Sequence, residues 1–287
     1  MRQHPGSTLL AGSDLASSPE THWLTIEGQR VRVAIGGAPD ATRTLLLFNG
    51  IGASVETMAP FMDQFGRTRV LTFDVPGVGE SPAPLLPYRL RDIARLGTIV
   101  LDRMGVGRVD VLGVSWGGTV AQEFAIRHPE RCRTLTLAAT CAGMVMVPGR
   151  PKVLLRMASP RRYLDPLYLM RVGGELYGGA MRFERELLEM HARAMRAPSI
   201  HGYLYQLLAM VGWTSWHRLR RVEAPALVLM GSDDPIVPTI NGRILVAGLR
   251  EARLETVDCG HLFVLTRAAE TARRVEHFIA QHSRTPS

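Results

Sequence analysis

Three cysteines in 287 residues, and a single lysine, Lys152, among 34 basic side chains, are the most conspicuous shortages of this sequence. An odd cysteine count with no Cys-x-x-Cys spacing excludes a disulfide framework, a zinc ribbon and a dithiol redox motif. Cys132 and Cys141 flank a predicted strand, and nine extended residues would part them by about 30 Å, far beyond bridging distance. Each cysteine is read instead as a small buried hydrophobe, and the compartment as a reducing cytoplasm. Apolar runs near the ~20 residues of a membrane span are missing, and the first 20 residues hold no signal-peptide h-region. Residues 1–20 therefore read as a flexible tail. Gly-Lys-Ser/Thr is absent, so no glycine turn here is a phosphate loop. Internal repeats, low-complexity segments and metal-ligand spacings are absent too, and neither a metal nor an organic cofactor is implied.

Acidic charge is scarce in one place only. The net charge of +8 suggests a nucleic-acid partner until its distribution is examined. Residues 150–221 hold 13 Arg or Lys against 5 Asp or Glu, which accounts for the whole excess, and the rest of the chain is balanced. The near-exclusive use of arginine looks like a coding bias, so the high isoelectric point alone does not argue for nucleic acid.

What is present alternates. "HWLTIEGQRVRVAI" reads as a hairpin about Gly28, and "TLLLF" as a short buried strand ending before Gly50. A helix-like stretch over 54–66, the strand "RVLTF" and a helix from Tyr88 to Met104 follow. Then come "VDVLGV" as a strand, 117–128 as a helix and "RTLTLAAT" as a strand. After an insertion over 142–223 the alternation resumes with "ALVLMG", a helix near 240–249, "ARLETVD" and a last helix from 266 to about 281. Continuous apolar strands between helices imply a mostly parallel sheet covered on both faces. The expected organisation is one α/β domain built from 21–141 and 224–283, with 142–223 as an inserted helical lid.

In "DVLGVSWGGTVAQ" a serine stands between glycines where a strand gives way to a helix. Ser115 could be a helix N-cap, but a strand, Gly-x-Ser-x-Gly and a helix in this order form a nucleophile elbow. A serine hydroxyl attacks carbonyls slowly unless a base takes its proton and an acid orients the base. His261, in the turn "CGH" after a strand, is the candidate base. His277 lies inside the last helix and His282 in the terminal segment. For the acid, "MGSDDPIVP" offers Asp233 and Asp234 after a strand; Asp234 is favoured, and Asp258 is a weaker rival within a strand. Two backbone N–H groups must meet the oxyanion, and the candidates are Trp116, which follows the serine, and Ile51 in "NGIG".

With these residues in place, "LLLFNGIGAS", "FDVPGVGES", "GVSWGG", "MVPGRPKVL", "MASPRRYL", "GWTSWHRL", "DDPIVP" and "DCGHLF" closely resemble the intracellular medium-chain-length polyhydroxyalkanoate depolymerases of the α/β-hydrolase superfamily. The resemblance spans roughly residues 22–280 and includes the insertion, whose motifs are the specific ones. It implies an α/β-hydrolase fold, the triad Ser115, Asp234 and His261, and a polyester of 3-hydroxy acids as substrate.

The insertion also has its own composition. Residues 150–221 hold five of the six tyrosines and six of the thirteen methionines, with Trp213 and Trp216. Interleaved with arginine, they suggest a lid with a cationic outer surface and an apolar side that meets a polyester granule or another hydrophobic ester. The expected activity is ester hydrolysis through an acyl-enzyme. The alternatives are a soluble carboxylesterase, a carbon–carbon bond hydrolase and, from another class, a non-catalytic ligand-binding or granule-coat protein. The expected location is the cytoplasm, in association with granules, with no nucleic-acid partner; the oligomeric state is not readable.

Overall fold

The computed structural model describes residues 19–38 and 40–283. Most of the expected tail thus lies outside the described residues, and Glu20 already opens the first strand. The hairpin forms as β1 (Glu20–Ile26) and β2 (Gln29–Gly37). Its two-residue turn needs positive φ at both positions, and Glu27 (φ 50°) and Gly28 (φ 81°) supply it. The alternation then runs β3 (Thr44–Phe48), α1 (Val55–Met62), β4 (Arg69–Phe73), α2 (Leu90–Arg103), β5 (Val109–Val114), α3 (Trp116–Arg127) and β6 (Cys132–Ala138). The inserted segment carries α4 (Pro151–Met157), α5 (Arg161–Leu164), α6 (Pro166–Tyr177), α7 (Arg185–Ala194) and α8 (Ile200–Met210). The core closes with β7 (Ala226–Gly231), α9 (Ile240–Gly248), β8 (Ala252–Val257), α10 (Phe263–Thr266) and α11 (Ala268–Gln281).

Eight strands form one sheet in the order β1-β2-β4-β3-β5-β6-β7-β8. Pairing is antiparallel from β1 through β2 to β4 and parallel from there to β8. Apolar runs without polar alternation predicted this, because a strand covered on both faces has no wet side. In β3, Leu46 and Phe48 join the layer of α2 and α3, with Val100, Val120 and Phe124. Leu45 and Leu47 point the other way, towards Phe61 of α1 and Val275 and Phe278 of α11. Cys132, Cys141 and Cys259 are buried free thiols.

Element ends shifted for local reasons. The Asp92 carboxylate accepts the Arg89 N–H at 2.8 Å, so α2 starts at Leu90 rather than Tyr88. The last helix, expected to be continuous from 266, breaks at Arg267 into α10 and α11.

One buried ion pair ties the loops above the sheet together. Asp74, at the end of β4, is fully buried; it accepts Val55 N at 2.9 Å, Glu80 N at 3.0 Å and Arg32 Nε at 2.8 Å. The Arg32 guanidinium reaches Glu56 at 2.7 Å as well. Burial pushes the Glu56 carboxyl up, but its paired bonds to Arg32 more than offset this and hold it at about 2. Arg32→Met would strand Asp74 and should lower urea-measured stability by about 3 kcal/mol or more, the cost of an uncompensated buried charge; a loss under about 1 kcal/mol contradicts this. Because the folded-state value of Glu56 lies below the unfolded one, its contribution is complete above about pH 4.3 and disappears as pH falls towards 2. The acid limb of the stability profile should lose that component in the same variant.

Candidate active site

The site forms where β5 meets α3. Ser115 has φ 53° and ψ −117°, a backbone conformation that L residues avoid and that projects the side chain off the sheet edge. Such a turn needs strand, helix and neighbouring loop to approach closely, and the glycines make room for them. A Cβ on Gly113 would sit 2.4 Å from Gly117 O, and one on Gly118 2.5 Å from the Thr140 side chain. On Gly117 it would lie 2.0 Å from Phe48 O and 2.5 Å from Asn49 O, which brings the end of β3 against the first turn of α3. Ser115 N donates to Ala138 O at 2.8 Å, and Thr140 Oγ1 donates to Ser115 O at 2.7 Å, so β6 braces the turn.

His261 and Asp234 converge on this serine. His261 Nε2 lies 3.0 Å from Ser115 Oγ, and His261 Nδ1 lies 2.7 Å from Asp234 Oδ2. Asp234 is 7% exposed and His261 3%, so water competes little for either bond. The other Asp234 oxygen accepts Ile236 N at 2.8 Å and Val237 N at 2.9 Å. This leaves Oδ2 aimed at the imidazole and accounts for the "DPIV" segment after the acid. Asp233 points away: it accepts Gly179 N at 2.8 Å and pairs with Arg182 at 2.8 Å. Asp258 is bonded to Ser232 Oγ. The Ser115, His261 and Asp234 side chains are thus brought together, and the rival acids are engaged elsewhere.

Trp116 follows the serine directly at the start of α3, and Ile51 lies in the loop after β3. Among the described residues neither Ile51 N–H nor Trp116 N–H donates to a protein acceptor. Gly50 comes close enough that a Cβ there would lie 3.7 Å from Ser115 Cβ. The site thus joins a hydroxyl, an imidazole and a carboxylate in one hydrogen-bonded series, beside a loop and a helix start whose Ile51 and Trp116 N–H groups no protein acceptor takes among the described residues.

The inserted segment seats directly on these loops. Tyr177 O accepts His261 N at 2.7 Å. A Cβ on Gly179 would lie 2.0 Å from Gly260 N, so the "YGG" sequence is needed for backbone to rest on backbone. Ser199 N donates to Gly77 O at 3.0 Å, and a Cβ on Gly202 would lie 2.2 Å from the same oxygen. Glu123 of α3 is buried and receives the Trp213 indole at 2.7 Å and the Arg218 guanidinium. Burial raises the Glu123 carboxyl, but the Arg218, Trp213 and Arg127 donors outweigh it and bring it to about 2.

Two expectations for this segment need correction. Trp213, grouped with the substrate-facing aromatics, anchors the segment to α3, because its indole N–H meets a buried carboxylate. Arg162, counted with the cationic outer surface, is 2% exposed and lies among Tyr163 and Tyr203. Gln206, Tyr163 and Glu123 were missed altogether. Only the position of Glu123 at the second turn of a helix packed under the insertion hinted at a buried carboxylate.

The profile of the alpha/beta hydrolase fold family matches residues 43–268. The chain belongs to that family. A poly(3-hydroxyalkanoate) depolymerase of Ectopseudomonas oleovorans is 46% identical over 259 residues, 90% of this chain and 92% of that protein. The resemblance seen in the motifs therefore holds along almost the whole length. A 2-hydroxy-6-oxononadienedioate/2-hydroxy-6-oxononatrienedioate hydrolase of Burkholderia vietnamiensis strain G4 is 30% identical, covering 88% of this chain and 92% of that one. In three dimensions the chain superposes on the enol-lactonase from Burkholderia xenovorans LB400 with a TM-score of 0.78 at 24% identity, over 90% of this chain and all of the other. This last likeness concerns the fold. Among the described residues no helix is long and apolar enough to cross a membrane.

In this alpha/beta hydrolase Gly117→Ala should destabilise by about 1–3 kcal/mol, since the added methyl meets two backbone carbonyls that cannot rotate away. Urea unfolding measures it, and a change under about 0.5 kcal/mol would contradict the close-approach explanation.

Proposed function

We propose that this chain is a serine ester hydrolase that depolymerises poly(3-hydroxyalkanoate) with medium-length side chains, acting at the surface of polyester granules in the cytoplasm. The observation that carries the reading is the hydrogen-bonded series from Ser115 Oγ through His261 to Asp234, in a chain 46% identical to a poly(3-hydroxyalkanoate) depolymerase. His261 takes the Ser115 proton as Oγ attacks the ester carbonyl; Asp234 holds the Nδ1–H tautomer and stabilises the imidazolium. Ile51 N–H and Trp116 N–H receive the oxyanion. His261 then gives its proton to the leaving alkoxide, and water, activated by the same imidazole, releases the acyl group as a 3-hydroxy acid end.

The inserted segment, acting as a lid, supplies the polymer contact. Most of the exposed large apolar side chains belong to it, among them Leu167, Phe183 and Met190. On α8, Ile200, Leu204 and Leu208 recur every fourth residue and are exposed, as is Val211 beyond its end. Tyr205 of α8 donates to Leu85 O at 3.3 Å, which sets the 97% exposed Leu85 and its neighbour Leu86 beside that stripe. An apolar surface of this kind favours an apolar aggregate over a dissolved ester. The segment's basic excess assists at an anionic granule coat but stays outside the polymer path.

Ser115→Ala should abolish ester hydrolysis while leaving the thermal midpoint within a few degrees, because the hydroxyl is needed for attack and not for packing. Retention of about a tenth of the rate would remove the nucleophile assignment. Asp234→Asn should cost about 10⁴-fold in kcat through loss of the imidazole tautomer, and Asp233→Asn far less; the reverse order would transfer the role. The Ser115→Ala protein should also sediment with medium-chain granules at both low and high salt, since apolar docking survives screening of charges beyond about 8 Å. Failure to sediment at either salt, with rapid cleavage of a soluble ester by the parent enzyme, would favour the carboxylesterase reading.

A further inference from the structure

Both polar atoms of one peptide group, the Ile51–Gly52 amide, are held by side chains of the inserted segment. Tyr163 Oη donates to Ile51 O at 2.5 Å, and Gly52 N donates to Gln206 Oε1 at 2.8 Å. The tip of the Tyr163 ring lies close against Gly52: a Cβ there would fall 2.6 Å from Tyr163 Cζ. Gln206 is 1% exposed, and its own carbonyl accepts the Trp116 indole N–H at 2.9 Å. A single buried residue of α8 therefore touches both Gly52, next to Ile51, and Trp116, next to Ser115.

The geometry points to Tyr163 and Gln206 as positioning residues for the oxyanion hole, so that the hole is in register only while the inserted segment is seated. This rests on the assignment of Ile51 and Trp116 as its donors. A peptide group is planar, so fixing its oxygen and its nitrogen fixes the orientation of the whole plane. Ile51 Cα is part of that plane, and the Ile51 N–H is attached to it through one backbone bond. With that plane held, only rotation about the Ile51 backbone bonds sets the direction of its N–H. At Gly52, φ is 68°, a conformation that glycine tolerates and that a contact on both sides can hold.

Arg162 sets the direction of the hydrogen bonds. Its guanidinium can only donate, and it donates to Tyr163 Oη at 3.3 Å and to Tyr203 Oη at 2.7 Å. Each phenol oxygen accepts from Arg162, so each phenol proton turns to a main-chain carbonyl, Ile51 O for Tyr163 and Met157 O for Tyr203. Among the described residues Arg162 meets no carboxylate, which leaves its charge to polarise these two hydroxyls and to stack on their rings, 4.5 Å and 5.3 Å from the centroids. His191, half-buried nearby, is pushed down to about 4 by burial and by the Arg162 charge, so it adds no second cation at neutral pH.

The test compares Tyr163→Phe, Gln206→Met and Gln206→Glu on a soluble p-nitrophenyl ester, with competent sites counted by exhaustive fluorophosphonate labelling. The first two remove one partner each with little change of volume; the third keeps the acceptor for Gly52 N. Tyr163→Phe and Gln206→Met should lower kcat per competent site at least about tenfold, with KM held within about threefold, because the donor acts on the transition state. The inhibition constant of a trifluoromethyl ketone, which forms a tetrahedral oxyanion on Ser115, should rise by the same factor as kcat/KM falls. Gln206→Glu, which keeps an acceptor for Gly52 N, should recover part of the loss seen in Gln206→Met. The inference is overturned if both losses fall below about threefold, if they reside in KM, or if ketone affinity is unchanged while kcat falls. Activity surviving in Ser115→Ala would instead overturn the underlying site assignment, a separate result.

Discussion

A serine whose φ is 53° cannot sit comfortably in any regular element, and everything around Ser115 is arranged to keep it there. The strain persists because β5 and α3 meet with no side chain between them, at Gly113, Gly117 and Gly118, and because Ala138 and Thr140 hold the turn from the next strand. Buried cores on both faces of the sheet provide the rigidity against which such a turn can be held. The same close approach brings the end of β3 within reach of the serine, and with it the loop that carries Ile51. Geometry at the elbow thus decides where the candidate donors and the imidazole must be.

The adjacent aspartates divide two tasks that a single residue could not serve. Asp234 turns one oxygen to His261 and the other to two backbone amides, so its carboxylate is fully used inside the site. Asp233 faces outward and clasps the inserted segment through Gly179 and Arg182. With the Tyr177–His261 and Gln206–Gly52 contacts, the segment is docked on the loops that bear both the acid and the base. The segment is therefore packed directly against these loops, through both backbone and side-chain contacts.

The parallel sheet, the hairpin and the convergence of Ser115, Asp234 and His261 were legible in the sequence. Their signals are local: apolar runs of strand length, glycines at a turn, a carboxylate or an imidazole just after a strand. Gln206 and Tyr163 were not legible, because each acts on Ile51–Gly52 more than a hundred residues away, and in sequence they look like any polar or aromatic position of a helix. Arg162 misled for the same reason. In a segment with 13 basic residues, nothing local separates the one buried against phenols from those that solvate a surface. Trp213 likewise carries an indole N–H whose partner, Glu123, lies on a distant helix. Helix ends drifted where capping or a loop break intervened, as at Asp92 and Arg267.

Release of 3-hydroxy acids from amorphous polyester granules is the most direct measurement of what this site does. Granules with medium-length and with short side chains, incubated in parallel with the purified protein, should give soluble 3-hydroxy acids or their short oligomers from the medium-chain material at a rate well above the short-chain one. Granules of both kinds left intact by a preparation that rapidly cleaves a dissolved p-nitrophenyl ester would contradict the depolymerase reading and leave a carboxylesterase on the same fold.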